Sequence, residues 1–398
     1  MTEPVITMPS NHEPPMHGSP TQRALPDGHR VALVHDWLTG MRGGEKVLEA
    51  LSELLPDAEI FTLLHDQGTV SPRLEATCHH RSFIQYLPKA RQRYREYLPL
   101  FPIAIEQFNL DGFDLVISTS HCAAKSVVRT GRARHLCYCF TPMRYAWDQF
   151  DSYFGPARVG ILKSRLYRLA LRRLARWDAD TSHRVDRYVA ISQHVARRIG
   201  RYYNRAASVV YPPVDTKFFH PNGSTTGSYF LIVSALVPYK RIDLAIDACA
   251  RAQVPLRIVG EGPELSYLHE RADSTVEFLG VCADTEIRDL YRGALAVLLP
   301  GEEDFGIAPV EAQACGRPVI ALARGGATET VRHGKTGFLV DESTPEAFTL
   351  ALRRAIDNPL DPDAIRQNAL RFSRKRYLSE MSSCIMETVM AQKGMARW

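Results

Sequence analysis

Residues 295–330 read LAVLLPGEEDFGIAPVEAQACGRPVIALARGGATET. The run Leu295–Leu299 is continuously apolar, the mark of a strand buried on both faces. It empties into a loop bearing Glu302, Glu303 and Asp304. Gly306 follows, and Pro309 fits only the first turn of a helix, because proline has no N–H to give deeper in. A second apolar run, Pro318–Ala321, comes next, so the stretch reads as strand, helix, strand: a parallel crossover unit. The backbone N–H groups of about Phe305 to Ala308, Gly306 and Ile307 included, then lead a helix and are free for an anionic or hydroxyl ligand. Glu303 and Glu311 stand within about 80° of one another at ~100° per residue if the segment is helical throughout. Two carboxylates beside free N–H donors suit a polyhydroxylated ligand, since each accepts two hydroxyl protons. The alternative is a pair of solvated acids favoured by the helix dipole.

The same alternation extends outward in both directions. Before the stretch, strands are expected at His29–Asp36, Glu59–Leu64, Phe113–Thr119, His135–Phe140, Arg187–Ile191 and Ser208–Tyr211, with helices at Gly43–Leu55 and Ile161–Trp177. A turn-rich linker runs from Tyr211-Pro212-Pro213 to Ser224. Beyond it the strands are Tyr229–Ala235, Leu256–Val259, Val276–Leu279, Leu295–Leu299, Pro318–Ala321 and Gly337–Val340. Thr344 and Pro345 read as an N-cap and first helical residue. Near-continuous apolar strands alternating with helices predict an α/β chain of two tandem, Rossmann-like, doubly wound domains facing across a cleft. The expected division is a disordered tail (1–28), a first domain (29–210), a linker (211–226) and a second domain (227–375). The remaining segment, 376–398, is expected to continue a broken helix that crosses back to the first domain.

The stretch at 300–330 resembles the E-x7-E signature of retaining glycosyltransferases of family 4 (group 1), which have the two-domain GT-B fold. Glu303-x7-Glu311 supplies the two acids, and Gly325-Gly326 with Glu329 match the G-G-x-x-E that follows. The resemblance implies that Glu303 lies beside the donor sugar, that Glu311 binds the ribose hydroxyls, and that the N–H groups of Phe305, Gly306 and Ile307 hold sugar hydroxyls. Asp304 departs from the glycine usual there and is expected to retune contacts in the sugar pocket. Lys240 matches the lysine that neutralises the donor diphosphate. The companion arginine is replaced by Ala235, and Arg241 is expected to compensate. By the same resemblance Gly260 and Gly262 lie near the nucleotide base, Gly43 and Gly44 near the diphosphate, and His121 on the donor sugar. Thr141–Asp148 (TPMRYAWD) looks like a stretch of bacterial polysaccharide mannosyltransferases; Arg144, Tyr145 and Trp147, with Asp36, are candidates for the acceptor site.

The resemblance therefore implies a retaining hexosyltransferase. Its expected substrates are a nucleotide sugar, GDP-mannose first, and a glycan or polyprenol-linked acceptor of cell-surface polysaccharide synthesis. A UDP-sugar enzyme, a nucleotide-sugar hydrolase or epimerase, and a non-catalytic binding protein are the alternatives. No cofactor and no metal are expected: His79-His80 lacks partners at ligand spacing.

The 398 residues are 45% hydrophobic and 23% charged, ordinary for globular domains and unlike a disordered chain or a disulfide miniprotein. Eight scattered cysteines without a C-x-x-C pair read as reduced thiols. The net charge of +5 divides unevenly: residues 1–214 sum to +8 and residues 215–398 to −3. The basic excess gathers in Ile161–Trp177 (ILKSRLYRLALRRLARW) and in residues 83–108, where aromatics and leucines interleave with Lys and Arg. Such basic amphipathic segments seek anionic membrane surfaces. The expected location is the cytoplasm, with contact at the inner face of the membrane. No nucleic-acid recognition motif accompanies the charge, and no run is long and apolar enough to span a bilayer.

Overall fold

The computed structural model describes Leu25 and residues 28–77, 79–223 and 227–391. Nearly all of the tail expected at 1–28, Cys78, residues 224–226 of the linker and residues 392–398 lie outside them. The seven described cysteines form no disulfide with one another.

Strands β1 (Val31–His35), β2 (Glu59–Thr62), β3 (His79–Arg81), β4 (Leu115–Ser120), β5 (Arg134–Cys139), β6 (Arg187–Ala190) and β7 (Ala207–Val209) form one parallel sheet, ordered β3-β2-β1-β4-β5-β6-β7. β8 (Tyr229–Val233), β9 (Leu256–Val259), β10 (Val276–Gly280), β11 (Ala294–Leu299), β12 (Val319–Leu322) and β13 (Gly337–Val340) form a second, ordered β10-β9-β8-β11-β12-β13. Every residue of β1 and of β4 is buried, which is why these strands read as unbroken apolar or small-residue runs. The expected strands stand within a residue or two of the observed ones. β3 was not foreseen: it is a three-residue edge strand of His-His-Arg and carries no apolar signal.

Helices begin where a side chain can take up a free N–H. Ser192 accepts from Val195 at 3.1 Å and Thr344 from Ala347 at 3.3 Å, with Pro345 in the first turn. The helical stretch near the end breaks into Pro362–Leu370 and Arg374–Met390, and Ser373 caps the second piece.

The chain passes between the sheets twice, and the two crossings bind each other. The Val214 N–H donates to the Phe372 carbonyl at 2.9 Å, and the Arg374 N–H to the Val214 carbonyl at 3.1 Å. The helix Arg374–Met390 then lies on the first unit. Tyr377 meets Tyr138 edge-on at 5.7 Å, and Arg374 and Glu387 pair with Glu53 and Arg187. Met381 and Ile385 are fully buried there, each contributing about 1.5–3 kcal/mol.

The helix Ile161–Asp180 is buried only along Ser164, Leu171, Leu174, Ala175 and Asp178. Ile161, Leu162, Leu166 and Leu169 are exposed, as are Arg165, Arg172, Arg173 and Arg176. Among the described residues no helix is long and apolar enough to cross a membrane.

Candidate functional site

In each sheet the first strand lies between the second and the fourth: β1 between β2 and β4, β8 between β9 and β11. Connections leave such neighbours in opposite directions, so a crevice opens beyond their carboxyl ends. The loops after β1, β4, β8 and β11 carry Asp36, His121, Lys240 and Glu303 respectively.

The Glu303 loop is moulded by glycines. Gly325 has φ +61°, and a Cβ on it would stand 2.2 Å from the Glu303 carbonyl oxygen. The Gly326 N–H donates to that same oxygen at 2.7 Å. The exit of β12 is thereby pressed onto the loop that holds the acid. Gly301 does the corresponding work for the cation: a Cβ there would stand 2.3 Å from the Tyr239 carbonyl oxygen. The β8 loop can then lie directly on β11's end, and the Lys240 ammonium pairs with the Glu303 carboxylate. Burial pushes the Lys240 pKa down to about 7, assisted by Arg144 and opposed by Asp304; contact with Glu303 also favours the charged form.

The first unit reaches into this cluster. Arg144 donates to Asp304 through Nε at 2.7 Å and Nη2 at 2.5 Å, and its Nη2 is 3.7 Å from Glu303. Arg198 Nη1 donates to the other Asp304 oxygen at 2.9 Å, and the Ser192 hydroxyl donates to the Asp304 carbonyl at 2.6 Å. Burial alone would raise the Asp304 pKa, but Arg144 and Arg198 outweigh it and hold the carboxyl below its usual range. Glu329 accepts from the N–H groups of Gln193 and His194 at 2.8 and 2.9 Å and from the Tyr211 hydroxyl at 3.1 Å. It thus caps a helix of the opposite unit.

On the other side of the crevice two helix N-termini meet. A Cβ on Gly43 would stand 2.7 Å from Ile307 Cδ1, so helices Gly43–Leu54 and Ile307–Ala314 almost touch at their starts. Lys46 extends from the first helix to Asp284 at 3.0 Å and to Glu311 at 3.7 Å. Glu311 is buried and accepts from the Tyr291 hydroxyl at 3.1 Å. Burial raises its pKa, with Lys46 and Tyr291 opposing.

Asp36 is fully buried and accepts four backbone N–H groups, from His121, Cys122, Ala123 and Ala124, at 2.6–2.9 Å. Its oxygen also lies 3.1 Å from His121 Nδ1, and Trp37 meets the imidazole edge-on at 4.4 Å. The ring is therefore held at the end of β4 from two sides. Desolvation lowers the His121 pKa against the pull of Asp36. Gly44 lies against β1 and the end of β5: a Cβ there would be 3.5 Å from both His35 and Phe140.

Two family models divide the chain between them. Glycosyltransferase Family 4 matches residues 41–218 and Glycosyl transferases group 1 matches residues 214–372. The chain belongs to the group 1, family 4 glycosyltransferases. It is 33% identical to a D-inositol 3-phosphate glycosyltransferase of Acidothermus cellulolyticus over 49% of this chain and 52% of that one. It is 30% identical to the D-rhamnosyltransferase WbpZ of Pseudomonas aeruginosa over 47% and 54%. The chain thus spans about half the length of the curated relatives it matches. The crystal structure of HepE of Anabaena in complex with UDP superposes with a TM-score of 0.67 at 18% identity, covering 90% of this chain and all of that one. That likeness carries the GT-B fold.

Within this member of the family, Glu303, Lys240 and Arg144 meet in one cluster, while Glu311 meets Lys46 in another. Several sequence expectations need correction. Asp36 cannot touch an acceptor, since its oxygens are enclosed and spent on the chain. Asp304 faces two arginines rather than retuning a sugar pocket. Arg241 does not join Lys240's cluster: its guanidinium is bound to Asp243 at 3.1 Å. Tyr145 is hydrogen-bonded to Cys122 at 2.7 Å, and Trp147 donates to Asp178 at 2.8 Å and stacks on Tyr202. Both side chains pack against the first unit's core instead of lining an acceptor site. Gly260 and Gly262 underlie the Ser234–Leu236 backbone, where a Cβ would come within 1.9 and 2.3 Å of carbonyl oxygens. Arg198, Ser192 and Lys46 were not singled out from sequence. Lys46 had a signal: a cation in a helix's first turn opposes the dipole and asks for an anionic partner.

Among the described residues no group of three or more His, Cys, Asp or Glu could hold a metal ion.

Proposed function

We propose that this protein transfers a hexose, with retention of configuration, from a nucleotide-activated donor to an acceptor hydroxyl. The observation that carries the reading is the Lys240–Glu303 contact at the second sheet's switch point, closed over by the first unit. In the reaction the bond from the sugar C1 to the diphosphate oxygen breaks. The acceptor oxygen bonds to C1 on the same face, and its proton passes to the leaving phosphate. Lys240 leaves Glu303 for the diphosphate and offsets the charge that develops there, so the step needs no metal. Glu303 and the N–H groups of Phe305, Gly306 and Ile307 hold the sugar. Glu311 accepts from the ribose hydroxyls, and His121, with Gly43 and Gly44, completes the donor site from the facing unit. Closure of the two units excludes water that would otherwise hydrolyse the donor.

GDP-mannose is the proposed donor, supported by the likeness of Thr141–Asp148 to bacterial mannosyltransferases. A UDP-hexose is the second reading, favoured by the UDP in HepE. The acceptor is proposed to be lipid-linked, on the way to a cell-surface polysaccharide, and the enzyme to act from the cytoplasm at the membrane surface. Exposed Leu162, Leu166 and Leu169 at helical spacing, beside exposed arginines, support that contact.

The test is purified protein with GDP- and UDP-sugars, with and without polyprenol-linked acceptor, reading nucleoside diphosphate, free sugar and the product's anomeric proton. Acceptor-dependent release with a retained anomer supports the reading. Epimerisation without acceptor, or donor binding without turnover, overturns it. Glu303→Gln lowers transfer by about 10²–10³ if the carboxylate stabilises the transition state; full activity in that variant removes it from the sugar site.

A further inference from the structure

One side chain stands out against the proposed machinery. Arg144 comes from the first unit yet ends beside Glu303, the same carboxylate that holds Lys240. Its guanidinium lies over the ring of Tyr239, 4.7 Å from the centroid, so it rests on the very loop that carries Lys240. Asp304 takes Nε and Nη2. The remaining nitrogen, Nη1, is enclosed and makes no hydrogen bond to any of the described residues. A buried guanidinium donor without a partner is costly, so this is a site with one ligand contact left to make. Elsewhere in the cleft the expected second cation is absent: Ala235 stands in its place and Arg241 is held by Asp243.

We propose that Arg144 is the second cation for the donor's diphosphate, delivered across the cleft by the facing unit, and that Asp304 is the positioning residue that holds it there. The two departures at 235 and 304 are then one arrangement. The cation is missing from the donor-binding unit and is returned from the opposite side, and an aspartate replaces glycine to orient it. Asp304 grips one edge of the planar guanidinium, as carboxylates do, and leaves the other nitrogen for a phosphate oxygen. A further consequence is that the anionic site is complete only when the cleft is closed. The proposal rests on the donor reading above and replaces the acceptor role expected for Arg144.

The experiment is calorimetric titration of the full chain with GDP, UDP, guanosine and uridine. It is run on the wild type and on Arg144→Gln, Arg144→Lys, Asp304→Gly and the Arg144→Gln/Asp304→Gly double variant. Loss of a charged hydrogen bond to phosphate weakens the preferred diphosphate about tenfold or more in Arg144→Gln. The nucleoside's affinity stays at the wild-type value, and Arg144→Lys recovers part of the diphosphate loss. Asp304→Gly weakens the diphosphate less, and the double variant is no weaker than Arg144→Gln alone. Unchanged diphosphate affinity in Arg144→Gln, or an equal loss for nucleoside and diphosphate, overturns the proposal. If Arg144→Gln does not fold, full diphosphate affinity in both Arg144→Lys and Asp304→Gly overturns it instead. A wild-type protein that binds neither diphosphate overturns the donor reading itself, and the proposal with it.

Discussion

At Asp36 a carboxylate is spent wholly on the chain. Four N–H groups converge on it, and His121 takes its ring position from the same oxygen. Asp36→Ala leaves those donors buried and unpaired, so a loss of about 2–4 kcal/mol is expected in urea unfolding. Asp36→Asn keeps one accepting oxygen and loses less; a cost under about 1 kcal/mol for the alanine would mean the turn holds itself. Glu311 behaves oppositely, because burial raises its pKa above the ordinary 4.5. The folded state then binds a proton more readily than the unfolded chain, so this group's contribution to stability grows as pH falls. Ribose binding needs the ionised form, and nucleotide affinity should decline on acidification with a midpoint above 4.5. Glu311→Gln should flatten that acid limb while lowering affinity throughout. Glu303 and Glu311 were legible from sequence because the motif keeps them at a fixed spacing across a loop and the helix that follows, and Lys240 because its loop has its own resemblance. The partners of Asp304 were not, since Arg144 and Arg198 lie 160 and 106 positions away and only the fold joins them.

Among the elements, the apolar strands declared themselves because burial on both faces leaves little choice of side chain. β3 stayed silent because an edge strand needs no apolar residue. The contact between helices Gly43–Leu54 and Ile307–Ala314 was equally hidden: a glycine's meaning there depends on a side chain in the other unit. It yields a specific expectation. A Cβ at 43 meets the far end of Ile307 at 2.7 Å, a clash that the closed form feels and a more open form does not. Gly43→Leu should therefore lower turnover about tenfold or more, as a misplaced site does, with little change in melting temperature. Small-angle scattering should show a larger radius of gyration, and Ile307→Ala in the same chain should restore part of both. A melting temperature that falls in step with activity would show instead that the glycine serves folding of its own helix.

Across the whole molecule, the +8 half and the −3 half meet as two faces of one cleft. Part of the positive excess lies on the exposed side of Ile161–Asp180. Near an anionic bilayer each basic residue contributes about 1 kcal/mol. Neutralising Arg165, Arg172, Arg173 and Arg176 should weaken the affinity for phosphatidylserine vesicles, read by co-sedimentation, by roughly three orders of magnitude. Neutral vesicles should recover little of the wild type, and binding that ignores the four substitutions would remove the membrane from the scheme. The paired crossings at Val214 and Phe372–Arg374 bear on how such a molecule can move. A single tether would let the halves swivel about any axis. Two strands hydrogen-bonded side by side act as the two pins of a door, leaving one rotation and suppressing twist. A protease that nicks the chain once at this place should accordingly leave both halves together in a native gel, with the second strand still carrying the swing.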